Sequence, residues 1–286
     1  YHFLISFPRG IRLSISADDF QIVQKFLLEN SGISLAPGKE YLVEGRLQPL
    51  VYSEGFDDIH VLVVALNKNS ESDLGKKVIE ALTTNETSFF RDKHPFETLK
   101  TAIIPELLKK TQANKKIQIW SAASSSGQEP YSLAMLLADS FSWVKDWDIR
   151  IVASDISEEM LEKCRSGLYS QFEISRGLPA HYLPRFFQRA QSKWQINSEI
   201  RERIDFCYLN LYEDWVGLPP LDIIFMRNVL IYFDKDTKKT ILEKVIKVLK
   251  PGGYLFMGSG EKPDGLEEHF QTTDFSTSAC FKLVSA

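Results

Sequence analysis

Cysteines, metal-ligand spacings and long apolar runs are scarce in this 286-residue chain. Its three cysteines, Cys164, Cys207 and Cys280, lie far apart with no CxxC, which argues against a disulfide framework and for reduced thiols in a cytoplasmic setting. The five histidines are scattered without an HxxxH pair, so no metal site is expected. The longest apolar run, 59–66, is broken by His60 and falls far short of the ~18 residues needed to span a bilayer, so no membrane insertion is expected. No stretch reads as a cleavable signal peptide. Excess positive charge is missing too. With 34 Lys and Arg against 38 Asp and Glu the formal net charge is −4, which removes any sequence-independent attraction to phosphate backbones and with it nucleic acid as a default partner. Neither a Gly-Lys-Ser/Thr phosphate loop nor a GxGxxG fingerprint occurs, which argues against a pyrophosphate cradle.

What is present describes a globular chain, 44% hydrophobic and 25% charged, long enough for one large domain and a smaller one. Residues 1–15, with "FLISFPRGIRLSIS", read as an N-terminal extension, either a short hairpin or an appended segment. Residues 16–95 read as a helical domain. "SADDFQIVQKFLLENSG" has a capping Ser or Asp, apolar positions Phe20, Val23, Phe26 and Leu27, and a terminating Gly32. "GKEYLVEGRLQPLVYSEG" predicts a second helix, shortened or bent at Pro49, and "DIHVLVVALNKN" and "DLGKKVIEALTTNE" two more.

The pattern then changes across 96–286. "KIQIW", "DIRIVASD", "RIDFCYLNL", "LDIIFMRNV" and "GGYLFMGSG" are short β-branched and aromatic runs with helical segments between the first two and again before the last. Such alternation predicts an α/β fold built on a doubly wound, mostly parallel sheet, with "STSACFKLV" as an added strand. A stretch at about 177–206 breaks the alternation: it opens like a helix and continues into "KWQINSEI", which predicts a small antiparallel β insertion.

In a doubly wound sheet, ligands sit outside the carboxyl ends of the strands where the strand order reverses. The first strand is followed by Ser121 through Gly127 and Glu129, the second ends on Asp155, the third leads to Asn210 and Leu211, and the fourth to Arg227 and Asn228, with Tyr232 four residues on. In "IWSAASSSGQEPYSLAMLLADSF" (119–141) a strand enters a turn of small and hydroxyl residues with a single glycine before a helix begins. Without further glycines or a lysine it suits a neutral nucleoside better than a pyrophosphate. A carboxylate at the position of Asp155 can accept from both hydroxyls of a ribose; capping the helix that starts near Ser157 would serve equally well.

The runs "NETSFFRD", "WSAASSSGQEPYSLAM", "ASDIS", "NL" at Asn210 and "MRNVLIYFD", in that order from Ser16 onward, resemble the CheR chemotaxis-receptor glutamate O-methyltransferases. The resemblance implies a class I, Rossmann-like methyltransferase domain that uses S-adenosylmethionine, releases S-adenosylhomocysteine and methylates glutamates in the cytoplasmic helical region of chemoreceptors. It implies that Asn85, Thr87, Arg91, Glu129, Asp155, Asn210, Leu211, Arg227 and Asn228 surround the cofactor, and that Arg91 and Tyr232 flank the transferred methyl. Two departures bear on the substrate. Relatives often carry several basic residues on the second helix, whereas this chain offers Lys39 and Arg46, seven residues apart, against Glu40, Glu44 and Glu54. The β insertion has "RAQSKWQI" in place of a glycine-rich hairpin turn, so tethering to a receptor's C-terminal peptide is not expected. Other readings are the same chemistry on a different protein or small-molecule acceptor, and a cofactor-binding module without turnover. The presence of both Arg91 and Tyr232 counts against the last.

Overall fold

The structure, a computed structural model, describes residues 14–69, 72–142, 146–273 and 279–284. Nearly all of the expected N-terminal extension and part of "STSACFKLV" lie outside them. The chain divides between Thr84 and Asn85, ahead of the expected limit at 95.

Among its described residues the first unit has four helices, α1 (Ala17–Ser31), α2 (Glu40–Ser53), α3 (Ile59–Lys68) and α4 (Asp73–Leu82). Their ends follow local chemistry. Ser16, Asp58 and Ser72 cap α1, α3 and α4 by accepting the N–H groups of Asp19, Val61 and Gly75, and Gly32 ends α1 in the left-handed conformation at φ 71°. Of the two expectations for Pro49, the shortening does not occur: helix α2 runs four residues past it. Pro49 has no N–H for the carbonyl of Gly45, and both residues are exposed, so water can serve that carbonyl.

The second unit opens with an irregular loop over 85–93, in which Phe90, Asp92 and Lys93 take positive φ where continued helix is the sequence-based expectation. A helical run follows, made of α5 (His94–Thr98), a π-helical turn (Leu99–Ile103) and α6 (Ile104–Lys110). The alternating layer comes next: β1 (Lys116–Ala122), α7 (Gln128–Ser140), β2 (Asp148–Asp155) and α8 (Glu158–Ser166). The insertion contains β3 (Leu168–Tyr169), α9 (Gln171–Ser175), α10 (Leu183–Phe186), β4 (Phe187–Ala190), β5 (Lys193–Ile196) and α11 (Ser198–Arg201). The layer resumes with β6 (Ile204–Tyr208), β7 (Leu221–Met226), α12 (Lys235–Val248) and β8 (Leu249–Met257), and closes with β9 (Phe270–Thr272) and β10 (Cys280–Leu283).

The large sheet runs β6-β2-β1-β7-β8-β10-β9, parallel from β6 through β8, with β10 antiparallel to both of its neighbours. Strand β7 is buried at every residue and β1 at all but its first, which is why both read as mostly apolar; their buried polar residues Gln118 and Asp222 meet, with Gln118 N donating to Asp222 Oδ2 at 2.8 Å. The chain winds outward from β1 through β2 to β6, then returns to β7 on the other side of β1. That reversal opens the crevice between the carboxyl ends of β1 and β7. The insertion forms a separate antiparallel sheet, β3-β5-β4. Its hairpin joins β4 to β5, so "FQRA" supplies the first strand and the "SEI" expected in the hairpin begins α11 instead.

Candidate active site

The β1–α7 turn curls because its backbone alternates in hand: Ala123, Ser125 and Gly127 have φ of 54°, 50° and 92°. For the first two this is strain, and side chains from below hold it. Cys164 Sγ donates to Ser125 O at 3.1 Å, Tyr169 Oη to Ser126 O at 2.7 Å, and Tyr131 Oη to Cys164 O at 2.6 Å. Burial pushes the Cys164 thiol up to about 12 and the Tyr169 phenol well above its usual value, so both keep the protons these bonds require. A Cβ on Gly127 would stand 2.9 Å from Cys164 Sγ and 3.0 Å from Tyr169 Oη, so the single glycine is a packing requirement as well as a conformational one.

Asp155, 5% exposed at the end of β2, accepts Ser125 N at 2.7 Å through Oδ2 and Ser157 N at 3.0 Å through Oδ1. It thus ties the turn after β1 to the start of α8, while the N-cap of α8 is Ser157. Asn210 shapes the loop after β6 by accepting Tyr212 N at 3.1 Å and donating to Glu213 Oε1 at 3.0 Å, beside buried Leu211.

Arg227 is the centre of the crevice. Its guanidinium donates to Glu129 Oε2 at 2.8 Å, to Asp92 Oδ2 at 2.7 Å and to Arg91 O at 3.1 Å, and its side chain is 1% exposed. The other oxygen of Glu129 accepts Ser121 Oγ at 2.9 Å. One cation thereby joins the end of β7, the first turn of α7 and the 85–93 loop, with two carboxylates offsetting its charge. The loop is fastened twice more: Ser125 Oγ donates to Asn85 O at 2.8 Å, and Phe90 N to Ser132 Oγ at 2.9 Å. Gly177 packs against it so closely that a Cβ would fall 2.0 Å from Phe89 O. Within the loop, Arg91 Nη1 donates to Glu86 O at 3.0 Å, and Thr87 is half-buried.

Beyond β7, Asn228 takes φ 57° and leads into a 3₁₀ turn, Leu230–Tyr232, that leaves Tyr232 half-buried. Arg227 is therefore bonded directly to Glu129 and to the loop bearing Asn85, Thr87 and Arg91, Asp155 is joined to that loop through Ser125, and Asn210, Leu211, Asn228 and Tyr232 follow strands at the same sheet edge. Lys39 and Arg46 belong to the other unit. Arg46 is half-buried there and donates to Leu82 O and Thr83 O, both at 2.7 Å, and to Thr84 Oγ1 at 2.8 Å, so it closes the end of α4; Lys39 is exposed at the start of α2.

Sequence reasoning missed Asp92 and Glu261. Glu261 follows the fifth parallel strand, β8, at the same carboxyl edge, so reading the residues after that strand as well would have reached it.

The donor set suits a nucleoside that carries an amino acid. It has a carboxylate at the end of β2, a small-residue turn, and alternating acidic and basic groups in the crevice, with no lysine-bearing phosphate loop. Comparison with known proteins agrees. Residues 85–279 match the domain described as CheR methyltransferase, SAM binding domain, and residues 18–83 match the CheR methyltransferase all-alpha domain. The chain is 40% identical over 263 residues to the chemotaxis protein methyltransferase Cher2 of Pseudomonas putida, covering 90% of this chain and 95% of that protein. It is 38% identical to chemotaxis protein methyltransferase 1 of Pseudomonas aeruginosa, covering 94% and 99%, and 36% identical to the chemotaxis protein methyltransferase of Escherichia coli, covering 91% and 89%.

Proposed function

The chain belongs to the CheR methyltransferase family, and from that premise we propose that it esterifies glutamate side chains of chemoreceptors. It is a methyltransferase of chemotaxis whose cofactor is S-adenosylmethionine. The observation that carries the finer reading is the buried Arg227 cluster, which gathers motifs distant in sequence at one sheet edge.

When bound, the cofactor supplies an electrophilic methyl on a sulfonium. A glutamate carboxylate is already ionised at neutral pH, so no proton has to move and no triad is needed. The protein's task is aim and dryness, because joining opposite charges leaves a less charged transition state. Asp155 and Asn210 hold the nucleoside, with Leu211 as an apolar wall. Glu129, Arg227, Asn228, Asn85 and Thr87 hold the amino-acid end. Arg91 grips a carboxylate by a charge-assisted fork, and the Tyr232 hydroxyl directs the acceptor.

Docking rests on Lys39, an exposed cation 5.9 Å from the ring of Tyr41, itself 65% exposed. Arg46 adds little, since its donors already serve α4. The hairpin turns on Gln191 at φ 54° with no glycine, which supports recognition without a tether to the receptor's C-terminal peptide.

Tritiated S-adenosylmethionine incubated with receptor cytoplasmic fragments should label them with methyl groups that base releases as methanol. Base-stable label would exclude carboxyl esters and point to a different acceptor group.

A further inference from the structure

Glu261 is a buried carboxylate, 9% exposed, for which the reaction scheme above has no use. It lies four residues beyond β8, in a turn closed by Glu261 N donating to Gly258 O at 3.0 Å. Its side chain folds back over that turn. Oε2 accepts Gly258 N at 2.6 Å and Asn228 N at 2.9 Å, and Oε1 accepts Ile231 N at 3.3 Å. Three backbone donors from two loops thus converge on one charged acceptor.

The two donors across the gap matter most. Asn228 sits in the left-handed region, which asparagine adopts more readily than other side-chain-bearing residues, and Ile231 is in the 3₁₀ turn that ends at Tyr232. Without that acceptor their N–H groups would lose their partner, and the segment would be free to take another conformation. Gly258 adds a steric condition. A Cβ there would stand 2.5 Å from Glu261 Oε2 and 2.7 Å from Asn228 Nδ2, so this approach is open only to glycine.

We infer that Glu261 is a positioning residue for methyl transfer: its carboxylate fixes the 228–232 segment and thereby sets Asn228 and the Tyr232 hydroxyl. This rests on the functional reading above, in which those two residues meet cofactor and acceptor. Glutamine has the same shape but replaces one acceptor oxygen by an NH₂ donor, so it cannot receive all three N–H groups.

The test uses the full chain with Glu261→Gln. In the cofactor-free protein, amide hydrogen exchange should quicken at Asn228 and Ile231 by ~10-fold or more, while core strands β1 and β7 stay protected. At saturating cofactor, turnover on a receptor fragment should fall ~10- to 100-fold, the scale of a misplaced reacting group. Adding Tyr232→Phe to Glu261→Gln should cost less than ~2-fold more, because the hydroxyl is already off target. A purely structural Glu261 would leave turnover per folded molecule unchanged and make the two substitutions additive, and either result overturns the proposal. Should Glu261→Gln not fold, Gly258→Ala displaces the intact carboxylate and must give the same exchange and turnover changes. A silent Tyr232→Phe on its own would instead sink the role of the hydroxyl, and the exchange data would still report whether Glu261 holds the segment.

Discussion

At Asp155 two demands meet on one carboxylate. It braces the strained turn through Ser125 N and the start of α8 through Ser157 N, and in the proposed function it also holds the ribose. Asp155→Ala should therefore weaken S-adenosylhomocysteine binding by ~1.5–3 kcal/mol and also lower the melting temperature of the cofactor-free protein, since two buried N–H groups lose their acceptor. Calorimetry showing lost stability with unchanged affinity would reduce Asp155 to a brace. Arg227 presents the sharper case. Replacing it by Ala leaves Glu129 and Asp92 without their shared cation, a change expected to cost ~3–5 kcal/mol in a denaturant titration. A variant as stable as the parent would mean the cluster contributes to the site alone. Asp155 and Arg227 were both visible as residues following strands, because the doubly wound rule fixes where strand ends point. The partner Asp92 was not visible: it lies 135 residues from Arg227 in sequence, and only the folded chain brings the two together.

Helix ends and buried strands were legible because their causes are local. Ser16 and Gly32 bound α1, and "DIRIVASD" is β2 residue for residue. What escaped was decided at a distance. The 85–93 loop abandons helix because Ser125, Ser132 and Arg227 take its backbone groups, and β9 pairs only because β10 offers an edge. Arg46 belongs to the same class: seven residues from Lys39 it read as a second cation for the substrate, yet its donors close the end of α4. Arg46→Ala should cost about 1–3 kcal/mol in the unfolding of the helical unit, against nearly nothing for Lys39→Ala. Equal costs would return Arg46 to the solvated face. A second element-level device joins α6 to the sheet: Glu106 accepts Tyr254 Oη and Lys282 Nζ, each at 2.7 Å. Burial raises the Glu106 carboxyl, but Lys282 and Tyr254 outweigh it and hold its pKa below the usual 4.5. Glu106 therefore stabilises above that value and loses its contribution as pH falls through the lower, folded one. Lys282 is raised above 10.5, chiefly by its bond to Glu106, so its contribution is complete below 10.5 and fades as pH rises past it. Tyr254, pushed up to about 12 by burial and by Glu106, resists ionisation where an unfolded tyrosine ionises near 10, so stability falls between those values. Thermal melts of wild type and Lys282→Met should differ near neutral pH by well under ~1 kcal/mol, because both partners are part-exposed, and should converge once pH falls below the lowered Glu106 pKa and once it rises past the raised Lys282 pKa. A difference that persisted at both extremes would assign the effect to packing of the lysine stem.

On the scale of the whole molecule the net charge of −4 sets how an acceptor is met. An acidic receptor helix is repelled by the average charge and attracted only where cations stand free of partners, and with Arg46 committed to α4 the free cation of the proposed docking helix is Lys39 beside Tyr41. One exposed charge works over a short range, being screened beyond about 8 Å at physiological ionic strength, while an exposed tyrosine adds apolar contact that salt does not weaken. Encounter should thus be weak and moderately salt-sensitive, whereas turnover on bound acceptor should not respond to salt, because the buried Arg227 cluster is shielded from it. Raising ionic strength from about 0.05 to 0.5 M should lower kcat/KM on a receptor fragment severalfold and leave kcat unchanged. Lys39→Glu at low salt should reproduce that loss, and Tyr41→Ala should add to it at every salt concentration. Removing the receptor's C-terminal peptide should change neither quantity. A fragment that is methylated well only with its tail, and is indifferent to Lys39→Glu, would transfer recognition to the β3-β5-β4 sheet despite its glycine-free turn.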